Sequence, residues 1–246
     1  MLRRDVVEGV HRVEDSYVNW FIVEDGDRVT VVDSGTPAGW DRLLDAVKAI
    51  GRKLSDIEAL VLTHAHYDHV GFAERLRSTL GIPVWLHEND VSLSKHPQLF
   101  TTERVPLIYL KDSGLRRVAL DFAKNRAFFA RPVKEVSTYS GEGPLDVPGR
   151  PHVIFTPGHT KGHVSLHFPE RDLLIAGDAI VTFDPYTGKT GPRLVAKGAT
   201  NDTAQALASL DRIERVDAGV VEVGHGEVFR GGAAEAARLA RIAGNE

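Results

Sequence analysis

The sequence contains no cysteine among its 246 residues. Without thiol groups the chain can form neither disulfide bonds nor metal–thiolate sites. Any transition-metal ion that it binds must therefore be held by histidine and carboxylate side chains.

Long apolar runs and basic runs are missing as well. No stretch approaches the roughly 20 apolar residues that span a membrane, and no apolar core of a secretion signal follows Arg3 and Arg4. We therefore expect a cytoplasmic protein with no membrane partner. The formal net charge of -4 and the lack of a Lys/Arg run argue against a nucleic-acid partner. A small-molecule substrate is the partner that we expect.

Residues 63–69 concentrate side chains that bind metals. Three of the 11 histidines and one aspartate lie within six residues, namely His64, His66, Asp68 and His69. Imidazole and carboxylate groups are preferred ligands of cations such as Zn²⁺. A solvated histidine-rich loop is the alternative. However, the apolar run at 57–62 predicts a buried strand that ends at the motif, where α/β proteins gather functional groups.

The spacing within this motif indicates two ions. His64 and His66 are two residues apart, so in an extended segment their side chains point the same way. Asp68 and His69 lie beyond them, where a helix-like pattern begins, and can face a neighbouring ion. Four ligands in so short a loop are more than one tetrahedral ion with an open position would take.

An apolar strand followed by a glycine-containing loop and a ligand-type residue occurs three more times. His159 follows the apolar segment 152–155, Asp178 follows 173–176, and His225 follows 220–223. Glycine in such loops lets the backbone approach other groups closely. Each residue alone could be an ordinary polar group, but together with the first cluster they complete a candidate site.

In this order along the chain, the seven ligand-type residues resemble those of the metallo-β-lactamase superfamily, and the resemblance spans nearly the whole sequence. It implies an α/β fold of the αββα sandwich type, in which two mixed β-sheets are flanked by helices. A chain of this length commonly forms one such domain, which we expect to cover residues 1–246.

The resemblance also implies a role for each residue. One ion would be held by His64, His66 and His159, a second by Asp68, His69 and His225, and Asp178 would bridge them. Asp33 resembles the family's early strand-end aspartate and would orient the histidine loop, although an ordinary turn aspartate is the alternative. We expect two divalent metal ions, with Zn²⁺ preferred and Fe or Mn as alternatives.

Two ions that share a carboxylate can also share a water and lower its pKa towards neutrality. We therefore predict a hydrolase in which a metal-bridging hydroxide attacks an ester, lactone, thioester or amide carbonyl, while Asp68 passes a proton to the leaving group. An iron-dependent redox enzyme of the same fold and a non-catalytic metal-binding module are the alternatives.

Outside the motifs, the pattern predicts a hairpin from residues 17–23 and 28–32, a helix over 39–50 and a strand over 82–87. Residues 88–144 differ in kind, because they are rich in aromatic and bulky aliphatic side chains and interrupt the strand patterns. They predict a lid insertion with a helix over 115–129.

The insertion has two interpretations. Its apolar residues, among them Phe100, Leu107, Ile108 and Phe128, could line the substrate side of the site. Alternatively its helix could pack on the core or on another subunit, so a homo-oligomer stays open. No individual substrate-binding residue can be assigned from the sequence.

Overall fold

The structure, a computed structural model, describes residues 1–245. Its larger sheet contains β1 (Leu2–Val7), β2 (Val10–Asp15), β3 (Val18–Asp25), β4 (Arg28–Val32), β5 (Ile57–Val61), β6 (Val84–His87) and β7 (Ser137–Tyr139), in that spatial order. Strands β1 to β4 pair antiparallel, whereas β4 to β7 pair parallel. This sheet is therefore mixed.

The later strands form a smaller sheet and a separate hairpin. They are β8 (Gly143–Pro144), β9 (His152–Phe155), β10 (Val164–Phe168), β11 (Leu173–Ile175), β12 (Val181–Phe183), β13 (Thr190–Arg193) and β14 (Val220–Glu222). The smaller sheet has the order β14-β11-β10-β9-β8, and β12 pairs with β13. Within it β8 to β11 are antiparallel, while β14 lies parallel to β11.

The helices are α1 (Gly39–Ala49), α2 (Ala73–Leu80), α3 (Val91–Lys95), α4 (Ser113–Lys124), α5 (Thr203–Ile213) and α6 (Ala233–Ala243). Within residues 1–245, no helix has the length and apolar character needed to cross a membrane.

The core is layered because successive strand residues face opposite sides of a sheet. On β3, Trp20 and Ile22 pack in the cluster that contains α1 and α2 side chains, whereas Phe21 and Val23 pack in the cluster between the two sheets. The outer face of the smaller sheet buries its side chains against α5 and α6. The order of layers is helix, sheet, sheet, helix, which confirms the predicted αββα arrangement.

Most predicted elements are present with small shifts at their ends. The strands predicted before the four candidate loops are β5, β9, β11 and β14, and the predicted helix over 39–50 is α1. The hairpin loop is shorter than predicted, because β3 extends to Asp25.

The helix predicted over 115–129 was wrong at its end. Helix α4 stops at Lys124, and Arg126 adopts a left-handed conformation with φ of 63°. The side chain of Asn125 donates to the Asp121 carbonyl at 2.9 Å, so it satisfies a carbonyl of the last turn. A separate 3-10 turn, Ala127–Phe129, follows the break.

The predicted insertion, residues 88–144, contains β7 and β8, which pair within the two sheets. The part before β7 holds α3, α4 and short 3-10 turns, all outside the sheets. Val118 and Phe122 on the buried face of α4 pack with Val18 and Ala127. This segment therefore rests on the end of β3, close to the loops that carry the candidate ligands.

Candidate metal centre

Loops at one edge of the two sheets carry the predicted site residues. Strand β4 precedes Asp33, β5 precedes the histidine motif, β9 precedes His159, β11 precedes Asp178, and β14 precedes His225. Each of these residues is buried, and the most exposed of them, Asp68, is only 7% exposed. Polar groups that are distant in sequence are thus gathered in one buried place at strand ends, where open sheets commonly place functional groups.

Among the three overlapping sets of candidate ligands in the described residues, two share no residue and form the first and second groups. In the first, His64, His66 and His159 can offer nitrogen atoms that lie within 4.8 Å of one another. In the second, Asp68, His69 and His225 can do the same with a carboxylate oxygen and two nitrogens. These groups coincide with the two ion-holding sets implied by the resemblance.

Asp178 lies between the two groups. Its Oδ2 atom is 3.4 Å from Nε2 of His159 in the first group and 3.2 Å from Nε2 of His225 in the second. Its Oδ1 atom is 3.7 Å from Nε2 of His69. One carboxylate therefore reaches both groups, as a bridging ligand must.

A glycine permits this approach. A Cβ atom placed on Gly224 would collide with Oδ1 of Asp178 and lie 3.0 Å from Cε1 of His69. The glycine that precedes His225 is thus required by the close contact between two loops.

Hydrogen bonds fix which nitrogen of each ring faces the centre. His225 Nδ1 donates to the Tyr17 carbonyl at 2.7 Å, and His69 Nδ1 donates to Oδ2 of Asp33 at 3.0 Å. In the neutral form of each ring, the only ring proton lies on Nδ1, so Nε2 has a lone pair that faces the centre. Outer partners of this kind orient metal-binding histidines.

Asp33 holds both groups at once. Besides His69, it accepts hydrogen bonds from the backbone N–H of Thr63 at 2.7 Å and from its hydroxyl at 2.8 Å. The hydroxyl oxygen of Thr63 in turn lies 3.0 Å from Nδ1 of His64. Asp33 therefore positions one histidine of each group, and it does so from a left-handed conformation with φ of 60°.

The remaining ligand atoms fit a bound cation. Within the described residues, buried atoms without a hydrogen-bond partner include Nε2 of His64, His66, His69 and His159 and Oδ1 of Asp178. Burying an unpaired polar atom costs about 1–3 kcal/mol, so a native structure rarely tolerates several together. Cations at this position would supply the missing partners, and imidazole with carboxylate is a donor set that suits Zn²⁺, Fe²⁺ or Mn²⁺.

Comparison with known proteins assigns the family. A protein-family model described as the metallo-beta-lactamase superfamily matches residues 13–225. The chain belongs to this superfamily. The matched region ends at His225 and includes Asp33 and all seven candidate ligands.

Individual relatives agree with this assignment. The probable metallo-hydrolase YflN of Bacillus subtilis (strain 168) is 25% identical over 237 residues, covering 90% of this chain and 85% of YflN. The probable metallo-hydrolase YqgX of the same organism is 32% identical over 133 residues, which cover 54% of this chain and 53% of YqgX.

Two solved structures are similar in fold. The metallo-beta-lactamase family protein TTHA1429 from Thermus thermophilus has a TM-score of 0.70 at 24% identity, covering 96% of this chain and 79% of that one. A structure of TTHA1623 in a di-iron-bound form has a TM-score of 0.63 at 26% identity, covering 94% and 98%. The predicted family and fold are confirmed.

The electrostatics of the superfamily site favour neutral imidazoles in the first group. Burial lowers the pKa of His66 to about 3 and holds the pKa values of His64 and His159 well below their usual range. These rings therefore stay unprotonated at neutral pH and can offer a lone pair.

The second group stabilises positive charge. Burial works against a charged His69, but the carboxylates of Asp178, Asp33 and Asp68 outweigh it and raise the pKa of His69 to about 10. Burial likewise opposes charge on Asp178, yet His225 and His69 hold the pKa of this carboxyl well below its usual range. The strong negative potential that draws a proton to this position would also favour a metal ion.

Sequence reasoning missed two buried residues that tie these loops together. His163 Nε2 accepts the backbone N–H of Asp178 at 2.9 Å. Asp90 accepts hydrogen bonds from Ala65 N at 3.2 Å, Thr160 Oγ1 at 2.7 Å and Gly162 N at 2.6 Å. Asp90 therefore joins the histidine loop to the His159 loop.

A signal for His163 existed in the sequence. Gly162 and His163 repeat the glycine–histidine pair of Gly158 and His159 four residues later. Asp90 had no comparable signal, because a single aspartate after a strand is common in turns.

Proposed function

We propose that the protein is a metal-dependent hydrolase that holds two divalent cations and acts on an ester, lactone, thioester or amide carbonyl. The observation that carries the proposal is the set of buried nitrogen atoms without partners, which face one another in two groups around Asp178. The family membership supports a hydrolase, and the probable metallo-hydrolases among its relatives agree.

The proposed ligand assignment follows the two groups. One cation would be held by His64, His66 and His159, the other by Asp68, His69 and His225, with Asp178 shared. When bound, such cations supply Lewis acidity and lower the pKa of a water molecule towards neutrality.

The chain's own residues would do the rest. Asp33 keeps the rings of His64 and His69 in one orientation through Thr63 and through its direct contact with His69. Asp68 lies on the floor of an open cavity, where a substrate would meet the centre. A carboxylate at this position can accept a proton and pass it to the leaving group.

The test is to strip the protein of metal with a chelator and then restore Zn²⁺, Fe²⁺ or Mn²⁺ separately. Each form is assayed on a panel of esters, lactones, thioesters, amides and β-lactams. We expect hydrolysis of at least one class in a restored form and none in the stripped form. A protein that binds cations but hydrolyses none of these classes would overturn the hydrolase proposal.

A redox enzyme is the second candidate, favoured by the di-iron-bound form of a neighbour at 26% identity. An imidazole and carboxylate donor set without thiolate also suits iron. Elemental analysis and the absorption spectrum of the purified protein separate the two. Iron content with visible absorption that changes under a reductant would favour redox chemistry, whereas colourless zinc protein would favour hydrolysis.

A further inference from the structure

An open cavity of about 360 Å³ lies directly above the candidate metal centre. Its floor is formed by His66, Asp68, His159, Asp178 and His225. Its volume falls within the roughly 300–1,000 Å³ that small-molecule pockets usually have. Whatever occupies this cavity therefore lies in contact with the candidate ligands.

The walls above the floor are almost entirely apolar. Their aliphatic and aromatic members include Phe100, Leu107, Leu110, Val118, Phe122 and Phe128. The polar wall residues in the described chain are Tyr67, Gln98 and Tyr186. Gln98 already uses its amide N–H groups on the carbonyls of Phe128 and Ala130, so it is fixed in place.

No lysine, arginine or glutamate lines this cavity within residues 1–245. A carboxylate or phosphate on the distal part of a ligand would be removed from water with no cation to pair with, and burying an unpaired charge is strongly unfavourable. The cavity walls thus select against anionic groups away from the centre.

The wall also leaves apolar surface open to water. Leu107 is 69% exposed, Leu110 46% and Phe128 42%, and all three line the same cavity. Grouped apolar side chains at a cavity mouth indicate a binding surface, because each such side chain gains free energy when a ligand covers it.

We propose that this cavity binds the uncharged, apolar part of the substrate, an alkyl chain or aromatic ring attached to the scissile carbonyl. The proposal rests on the proposed hydrolase function, because the floor of the cavity is the candidate metal centre. It narrows the substrate class to esters, lactones, thioesters or amides with an apolar and uncharged acyl part.

Ile108 marks the limit of this surface. The sequence grouped it with Leu107 and Phe128 as a residue that could line the substrate side, but it is not part of the cavity lining. Leu107 and Leu110 of the 3-10 turn Pro106–Lys111 line the cavity, and Ile108 does not. Of the two interpretations left open by the sequence, the one that places the insertion on the substrate side therefore does not extend to Ile108.

Binding can be tested without turnover, using methyl ketones that cannot be hydrolysed. We expect metal-loaded protein to bind 2-undecanone more tightly than 2-butanone, by about fourfold for each methylene that becomes buried. Leu110→Ala should weaken 2-undecanone binding by at least about fourfold and leave 2-butanone binding unchanged. Leu120→Ala is the matched control, because Leu120 lies on α4, is 73% exposed and does not line the cavity.

Equal affinity of the wild-type protein for both ketones would overturn the proposal. So would an equal effect of Leu110→Ala and Leu120→Ala. A dimer that dissociates on Leu110→Ala, with no dependence of ketone affinity on chain length, would assign the face to a second copy of the chain instead.

A comparison of hydrolysis rates for two esters is the second part of the test. We compare an uncharged alkyl ester with an ester of equal length that ends in a carboxylate, and we expect kcat/KM to be at least about tenfold higher for the uncharged one. Equal kcat/KM values would overturn the proposal. If neither ester is hydrolysed while ketone affinity still rises with chain length, the proposed hydrolysis fails and the apolar cavity stands.

Discussion

The candidate metal centre and the cavity wall meet at Phe100, whose ring centroid lies 4.4 Å from that of His66. Below this contact the side chains are polar and buried, and each loop follows a strand of one of the two sheets. Above it the wall is apolar and partly open to water, and much of it comes from short helical elements outside the sheets.

This difference separates two requirements of one site. Ligands of a cation must be held in a fixed geometry, so they are placed on rigid strand ends and oriented by buried partners such as Asp33. A surface that recognises an alkyl chain needs only apolar area and shape, so it can be built from short turns. The two regions should therefore respond differently to substitution.

The largest effect is expected at Asp178. Asp178→Ala removes the one carboxylate that reaches both groups, so hydrolysis should fall by more than the roughly 10–100-fold seen for outer partners, and at least one cation should be lost. The control is His152→Ala, an exposed histidine on β9 outside the site. Small and equal effects in both variants, measured by turnover and elemental analysis, would contradict the shared-ligand assignment.

A smaller effect on the same region is expected from Asp33→Asn. The amide retains one acceptor oxygen but loses the charge that holds His69 and Thr63, so metal affinity or activity should fall by about 10–100-fold. Asp27→Asn, in the exposed hairpin turn, is the matched control. Unchanged zinc affinity in Asp33→Asn by competition with a chelator would remove Asp33 from the account.

On helix α4, substitutions on the buried side, which lines the wall, and on the exposed side, which does not, should differ in their effect on stability. Phe122 is buried and packs against Tyr67 and Phe128, so Phe122→Ala should lower the free energy of unfolding by about 3–5 kcal/mol. Leu120→Ala, on the exposed side of the same helix, should change it by less than about 0.5 kcal/mol. Urea unfolding measures both changes in the free energy of unfolding. Similar losses in the two variants would contradict the burial of Phe122 and the exposure of Leu120 on α4.

The smallest effect concerns Glu222, at the end of the strand that precedes His225. Burial raises the pKa of Glu222 to about 7 from its usual 4.5, although Arg12 lies 3.3 Å away and opposes the shift. The folded chain therefore holds the proton more tightly than the unfolded chain. The contribution of Glu222 to the free energy of unfolding is therefore largest below pH 4.5, and it is lost as the pH rises through about 7.

Glu222→Gln cannot ionise, so we expect the metal-stripped variant to lose less stability than the wild type between about pH 5 and about pH 8. Glu227→Gln is the control. Glu227 accepts from the same Arg12 guanidinium, which lowers rather than raises its pKa. Identical pH dependence of wild type and Glu222→Gln in urea unfolding would show that Glu222 does not titrate in this window.

The difference between the candidate metal centre and the cavity wall also explains which features could be predicted from the sequence. The loops of the candidate centre follow short apolar strands that stand out as runs such as 152–155 and 220–223, and the candidate ligands stand in sequence beside them. For these residues, the local sequence pattern is therefore enough to predict where they lie in the folded structure. Asp90 and His163 could not be identified from the sequence, because their role depends on hydrogen bonds to loops that only the fold brings near them.

The wall was less predictable for a related reason. Which apolar residues of a short turn face the cavity depends on packing around the turn, and Leu107 faces it while Ile108 does not. The end of α4 was missed because the apolar Phe128 and Phe129 extend the helical pattern past Arg126, where the backbone turns left-handed.

The most direct test of the central claim is the number of cations that the chain binds in its active form. Zinc is titrated into the metal-stripped protein while bound metal and hydrolysis of an uncharged alkyl ester are both measured. The two ligand groups predict two ions per chain, with hydrolysis absent before metal is added. A plateau at one ion per chain, or hydrolysis by the stripped protein, would contradict the account.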